Sequence, residues 1–235
     1  MIYVNCLNIS EVDEWYYEKV YERASEERKL RAERYRSPED AKRCILAEAL
    51  LRFSLKEACG YAEQIVIQYH EHGKPFIKDL ENFSYNISHS GEWVVVAYSY
   101  DETSTVKDTK VGVDVEKIRE FTNCEKLTIR FFAKEEQEYI FSVKSDAERA
   151  GRFTEVWTLK ESYLKYLGCG LSQSLESFAV DAATGQIQDA SGKRVADVSA
   201  ASFVLGEEYY VSVCSNDEDI AMKVISMQAL WEALV

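Results

Sequence analysis

The chain has 235 residues, 46% of them hydrophobic, with only 2 prolines and 10 glycines. That is enough for one sizeable domain or two intimately packed halves, and too little proline and glycine for long disordered linkers. A net charge of −13 argues against general nucleic-acid binding, and no apolar run approaches the roughly 20 residues that a membrane span needs.

The opening MIYVNCLNIS lacks the basic and apolar regions of a signal peptide. Residues 14–35 are polar, helix-forming and rich in Glu and Arg. Ser37, Pro38, Glu39 and Asp40 then read as an N-cap, a first-position proline and a favourable first-turn charge, so a helix starts there and Gly60 ends it. IVIQY is a strand, EHGKPFI a turn, and the apolar run WVVVAYS a strand buried on both faces. DETSTVKDTK is a polar loop, VGVDVE an alternating strand, and residues 124–141 a helix. One or two further helices lie in SDAERAGRFTEVWTLKESYLKYLG, and after Gly170 short strands alternate with polar turns. NISHSGEWVVVAYS and GEEYYVSVCS echo each other as a glycine turn leading into an apolar strand. The fold class is α/β in the broad α+β sense, helical first and strand-rich last. The 6 cysteines, Cys6, Cys44, Cys59, Cys124, Cys169 and Cys214, are scattered without CxxC or metal spacing and read as reduced thiols of a cytoplasmic protein.

Charge is unevenly spread. Residues 23–43 hold eight basic and five acidic side chains, a net +3 island in an acidic chain. Such an island suits a small anionic ligand, although two solvated helix faces would look the same. In VGVDVE the valines point one way while Gly112, Asp114 and Glu116 point the other, which sets two carboxylates about 7 Å apart. Like charges at that spacing repel unless a cation stands between them, and an all-oxygen set favours Mg²⁺. A solvent-facing acidic strand edge is the plainer alternative. Asn86, Ser88, His89 and Ser90 gather donors before a glycine turn, as a phosphate cradle would. Ser88 and His89 are adjacent and no G-x-S-x-G elbow occurs, which speaks against a hydrolase pair. Lys74 in HGKPF can reach an anion or simply belong to a turn. Trp157, Glu161 and Lys165, four apart, share one helical face.

The ordered set GKPF, NISHSGEW, VGVDVE, RFFAKEE and WTLKESYLKYLGCGLS closely resembles the 4′-phosphopantetheinyl transferases of the longer, Sfp-type class, over nearly the whole chain. The resemblance implies two similar α/β halves in a pseudo-twofold arrangement, taken as residues 1–105 and 106–235, with the active site between them. It implies transfer of the 4′-phosphopantetheine arm of coenzyme A to a serine of an apo acyl- or peptidyl-carrier protein, with adenosine 3′,5′-bisphosphate released. Residue by residue, Asp114, Glu116 and Glu161 match the Mg²⁺ (or Mn²⁺) carboxylates, Lys165 the pyrophosphate lysine, Ser88 and His89 the phosphate pair, and Lys74 the G-K-P lysine near the nucleotide. Arg43 matches a basic residue of the coenzyme A site. Arg28 and Arg31 stand where relatives carry lysines for the 3′-phosphate, and arginine keeps that charge.

Cys169 replaces a frequent lysine in a G-x-G-L turn. Glu116 or Glu161 would take the serine proton, directly or through a water. Trp157 would wall the same side. The carrier is expected near RFFAKEEQEYI, where Phe131 and Phe132 cannot both enter one narrow helical stripe. The resemblance further implies a monomer, while charge and the lack of a long apolar run leave neither nucleic acid nor membrane among the expected partners. Two other readings use the same residues: a Mg²⁺-dependent phosphodiesterase acting on coenzyme A, and a non-catalytic module that binds coenzyme A or the carrier.

Overall fold

In the computed structural model, residues 1–60, 65–70, 73–102, 109–170 and 173–235 are described. The helices begin where capping residues permit. The expected helix over 14–35 is two, α1 (Glu14–Arg23) and α2 (Glu26–Ala32), because the Ser25 side chain accepts the N–H of Arg28 and starts a new helix. α3 (Pro38–Cys59) starts at Ser37, which caps Asp40 N–H, and stops at Gly60, whose φ of 69° is left-handed. The segment 124–141 is likewise two helices, α4 (Cys124–Phe131) and α5 (Lys134–Phe141). α6 (Asp146–Leu167) is one uninterrupted helix, capped by Ser145 and ended by Gly168. A C-terminal helix, α7 (Met227–Leu234), carried no expectation.

The strands are β1 (Ile2–Asn8), β2 (Ile67–Tyr69), β3 (Pro75–Ile77), β4 (Phe83–Ser90), β5 (Trp93–Tyr100), β6 (Val111–Lys117), β7 (Phe178–Val180), β8 (Gln186–Asp189), β9 (Arg194–Leu205), β10 (Tyr209–Ser215) and β11 (Ile220–Val224). One sheet has the order β11-β1-β5-β4 and the other β6-β10-β9-β8-β7, with β2 and β3 as a separate ladder. The polar loop expected at 101–110 falls largely outside the described residues, as do Glu71 and His72 of the expected turn.

A common pattern runs through both sheets. β1 pairs antiparallel with β5, and β6 pairs antiparallel with β10. Each pair is accompanied by a 22-residue helix, α3 or α6. The two sequence segments that echo each other supply β5 and β10, the matching members of these pairs. The layers run helices, sheet, sheet, helices. α3 covers the outer face of the first sheet through a core that includes Leu46, Leu50 and Val96. Between the sheets, Val4, Val95 and Ala97 meet Val111, Val113, Val115 and Val213. The three β6 valines are fully buried, each contributing about 1.5–3 kcal/mol relative to exposure. β5 is buried on both faces, as its unbroken apolar run requires.

The division at 105/106 needs a correction at the C-terminus. β11 lies parallel to β1, and the core of the first half takes in Ile225, Met227 and Leu230. Residues 220–235 therefore pack with the N-terminal half, because their apolar side chains find the edge of β1 and the surface of α3 there. No helix among the described residues is long and apolar enough to cross a membrane.

Candidate active site

β6 is the outer strand of its sheet, and its open edge faces β4. No backbone ladder joins the two strands; side chains do. Asn86 Oδ1 accepts Val113 N–H at 2.9 Å, Ser88 Oγ accepts Val115 N–H at 3.3 Å, and Ser90 Oγ accepts Lys117 N–H at 3.3 Å. The two-residue period of Asn86, Ser88 and Ser90 on β4 matches that of β6, so the three successive N–H groups that Val113, Val115 and Lys117 turn to this edge are all met. The pairing places the hydroxyls beside the carboxylates: Ser88 donates to Asp114 Oδ1 at 2.9 Å and Ser90 to Glu116 Oε2 at 2.7 Å.

α6 closes the other side. Its approach depends on Gly112, where a Cβ would stand 2.1 Å from Ser162 O and 2.3 Å from Tyr166 N. Only a residue without a side chain lets the helix backbone come so near the strand. The approach brings Lys165 Nζ to 2.7 Å from Asp114 Oδ1 and 2.9 Å from Ser88 Oγ. Glu161, one turn earlier on the same face, feels both Asp114 and Lys165. Burial lifts the Glu161 carboxyl above its ordinary range; Asp114 and Glu116 add to the rise and Lys165 opposes it. Glu116 is raised mainly by burial and secondarily by Asp114, against the pull of the Ser90 hydrogen bond and Arg119.

The resulting row of carboxylates suits a divalent cation on one clear observation. Asp114 Oδ2 is buried and, among the described residues, has no hydrogen-bond partner, while Oδ1 serves both Ser88 and Lys165. A buried acceptor left without a partner costs free energy that a cation would recover. Among the described residues no group of three or more His, Cys, Asp or Glu side chains stands where it could by itself hold a metal ion. A cation here would rest on one or two of these carboxylates together with waters and substrate phosphates, as Mg²⁺ commonly does.

The other expected residues fall into two groups. His89 points to the opposite face of β4 from Ser88, by strand alternation. Its side chain is partly open to solvent, but the protein around it, with the positive charges of Arg43 and Lys165, shifts its imidazole below the usual range. Arg43 donates to Gly91 O and pairs with Asp40, at the β4–β5 turn. Ser88 and His89 thus do not aim at one point. Ser88 already commits its proton to Asp114, and its oxygen receives Lys165 and Val115. Arg28 lies 3.6 Å from the buried carboxylate of Glu48, which also accepts from Ser25 N at 2.9 Å and Ser25 Oγ at 2.6 Å. Arg31 is on the exposed face of α2, near Tyr35 and Tyr69. Neither arginine bonds to the carboxylate row.

Lys74 reaches across from the first half. Its ammonium donates to Val111 O at 3.1 Å, Lys165 O at 2.9 Å and Tyr166 O at 3.1 Å. It thereby satisfies carbonyls at the C-terminal end of α6, where a cation is favoured. With Asn86, Glu161 and Lys165 it also lines a cavity of about 260 Å³.

A second cavity, of about 270 Å³, opens on the other side of Glu116, walled by Leu127, Phe153 and Trp157 and rimmed by Arg119. Trp157 therefore flanks the carboxylate row, as its spacing from Glu161 suggests. Phe132 is buried and stacks on Phe153 at 5.3 Å, whereas Phe131 is partly covered beneath Arg130. Leu127 and Ile129, 37% and 60% exposed, are the open apolar positions of α4.

The chain is similar to known proteins over most of its length. The 4′-phosphopantetheinyl transferase superfamily model matches residues 110–214, and a model of the 4′-phosphopantetheinyl transferase N-terminal region matches residues 13–101. The 4′-phosphopantetheinyl transferase psf-1 of Bacillus pumilus is 31% identical over 191 residues, 80% of this chain and 77% of its own. The 4′-phosphopantetheinyl transferase gsp of Aneurinibacillus migulanus is 33% identical over 217 residues, 92% and 85% of the two chains. The chain belongs to the 4′-phosphopantetheinyl transferase family.

Among solved structures, a holo-(acyl-carrier-protein) synthase from Bacillus anthracis in complex with CoA (3′,5′-ADP) overlaps 45% of this transferase and 93% of its own chain. The TM-score is 0.35 and the identity 18%, too loose a likeness to carry an argument. Sequence reasoning grouped Asn86 and Ser90 with Ser88 and His89 as phosphate donors and passed over their bonds to β6, as it passed over the close approach that Gly112 allows. The N-x-S-x-S alternation was the available signal for the first two. Gly112 carried none, because a strand glycine shows its purpose only when the helix beside it is known.

Proposed function

We propose that this transferase moves the 4′-phosphopantetheine group of coenzyme A to a serine hydroxyl of an apo acyl- or peptidyl-carrier protein. The observation that supports this reading is the junction of Asp114, Glu116, Glu161 and Lys165 at the β4–β6 seam, with Asp114 Oδ2 buried and, among the described residues, unpartnered. Asp114, Glu116 and Glu161 would hold Mg²⁺ or Mn²⁺, which when bound neutralises phosphate charge.

The chain's own groups perform the rest. Lys165 puts a positive charge beside the carboxylates, where it can reach a pyrophosphate oxygen. Arg43 and His89 add donors on the first-half side, His89 from the face of β4 turned away from Ser88. Glu116 or Glu161, both raised by burial, is the better base for that rise and takes the serine proton. The serine oxygen forms a bond to the β-phosphorus of coenzyme A, and the bond from that phosphorus to the adenosine bisphosphate breaks. The bisphosphate departs with the electron pair. The cavity beside Glu116 and the exposed Leu127 and Ile129 of α4 are consistent with the carrier approaching from that side.

The test incubates the protein with coenzyme A, Mg²⁺ and an apo-peptidyl-carrier domain, and follows the carrier by intact mass. Gain of one phosphopantetheine, absent with Glu161→Ala, is the expected result. Consumption of coenzyme A without carrier gain would convert the reading to hydrolysis, and intact coenzyme A with a full panel of acyl and peptidyl carriers would overturn it.

A further inference from the structure

A glutamate side chain has three rotatable bonds, and a cation ligand must be held still for its oxygens to be ready. Glu116 is held through β4. Ser90 is 7% exposed and sits between two groups of the facing strand: it accepts Lys117 N–H at 3.3 Å and donates to Glu116 Oε2 at 2.7 Å. Ser88 does the same two residues earlier, accepting from Val115 N–H and donating to Asp114.

A hydroxyl has one proton and two lone pairs. With a backbone N–H directed at its oxygen, its proton is free to go to the carboxylate, so the strand register itself sets the direction of each hydrogen bond. Arg119 approaches the same Oε2 at 3.7 Å but is 77% exposed, and an exposed ion pair orients little. Ser90 is thus the buried group that fixes one oxygen of Glu116. Among the described residues, the other oxygen takes no hydrogen bond.

We propose that Ser90 is a positioning residue for the cation site: locked by the N–H of Lys117, its hydroxyl aims Glu116 so that its second oxygen stands ready for a divalent cation. The inference rests on the reading of Asp114, Glu116 and Glu161 as cation ligands. Partners that orient a metal ligand typically matter 10- to 100-fold in affinity, and Ser90 stands in that relation to Glu116.

The test titrates Mn²⁺ alone, without coenzyme A, into the full-length protein and reads free Mn²⁺ by electron paramagnetic resonance, with thermal melting in parallel. Asp114→Asn serves as the control for the site. Ser90→Ala is expected to weaken Mn²⁺ binding by about tenfold. Ser90→Thr keeps the hydroxyl and should bind near the wild-type level, whereas Ser90→Val, of the same shape without it, should not. This pair decides the matter if the alanine variant fails to fold. In a Glu116→Gln background, Ser90→Ala should change affinity no further.

If Asp114→Asn loses Mn²⁺ while Ser90→Ala and Ser90→Val bind as wild type, the positioning role is overturned and the carboxylate site stands. A lower melting temperature with unchanged Mn²⁺ affinity overturns it too, leaving a structural serine. If the wild type binds no Mn²⁺, or Asp114→Asn binds it equally well, the carboxylate reading fails and takes this inference with it.

Discussion

Lys165 Nζ stands 2.7 Å from Asp114 Oδ1, joining residues 51 apart in the chain. The aspartate side chain is 7% exposed and the lysine 28%. The pair is therefore partly desolvated, and its attraction exceeds that of a surface pair. The lysine offsets part of the negative charge of the row, and in the proposed reaction it would also meet a phosphate of the substrate.

Lys165→Met should lower kcat/KM for carrier modification by about 10²–10³, the usual consequence of removing one preorganised charge. Stability should fall by about 1–3 kcal/mol, because Asp114 Oδ1 keeps only Ser88. Lys165→Arg restores the charge and should recover much of the stability. Urea unfolding and the intact-mass assay read the two effects separately; a methionine variant with wild-type turnover would remove Lys165 from the chemistry.

Gly112→Ala tests how α6 reaches the site. The added carbon would overlap Ser162 O and Tyr166 N, both backbone atoms of a packed helix. The helix must shift, at a cost of about 1–3 kcal/mol for overpacking, carrying Glu161 and Lys165 off register. Transfer activity should fall at least tenfold while the circular dichroism of the folded state persists. Wild-type activity would show that α6 does not need this close approach.

The raised carboxyls of Glu116 and Glu161 give the cation response a pH dependence with a definite sign. A carboxyl raised in the folded state binds more protons folded than unfolded between 4.5 and its folded pKa. Its stabilising contribution is full below 4.5 and is lost as pH rises through the raised value. The higher the pH, the more of each group is charged and open to a cation; the lower the pH, the more protons compete. The rise in melting temperature caused by Mg²⁺ should therefore be larger at pH 7.5 than at pH 5. Equal shifts at both would separate cation binding from these two groups.

Beneath the site, Lys160 and Glu136 form an ion pair that is 0% and 2% exposed, with Nζ 2.8 Å from both carboxylate oxygens and 2.6 Å from Phe178 O. Glu136 also accepts from Val180 N and Ala133 N at 2.8 Å. Glu136→Leu would strand a buried ammonium and two N–H groups, and should cost about 3–5 kcal/mol. A loss below 1 kcal/mol in urea unfolding would contradict the buried-pair account.

Lys74→Met separates two roles. Its bonds to Val111 O, Lys165 O and Tyr166 O predict a stability loss of about 1–3 kcal/mol. Contact with the nucleotide predicts a higher KM for coenzyme A at unchanged stability. The expected result is a clear loss of stability, whatever happens to KM; an unchanged unfolding midpoint would deny the tie across the halves.

The chain itself declared much of this protein. Local signals are read from neighbours a few residues apart, so Ser37, Pro38 and Gly60 marked the ends of α3, and the alternation of VGVDVE separated three core valines from Asp114 and Glu116. The four-residue spacing of Trp157, Glu161 and Lys165 placed them on one helical face, and the motif order identified the family.

What needed the tertiary structure was everything carried by contacts between distant segments. Ser25 had to be seen as a cap to split α1 from α2. Ser88 and His89 had to be seen on opposite faces of a strand, and Arg28 against Glu48, to learn that adjacent or clustered donors serve different partners. Residues 220–235 joined the first sheet because its open edge and the α3 surface lay there, not because of their place in the chain. The side-chain ladder from β4 to β6 belongs to neither strand alone: its register exists only once two sheet edges, 26 residues apart in sequence, are brought face to face.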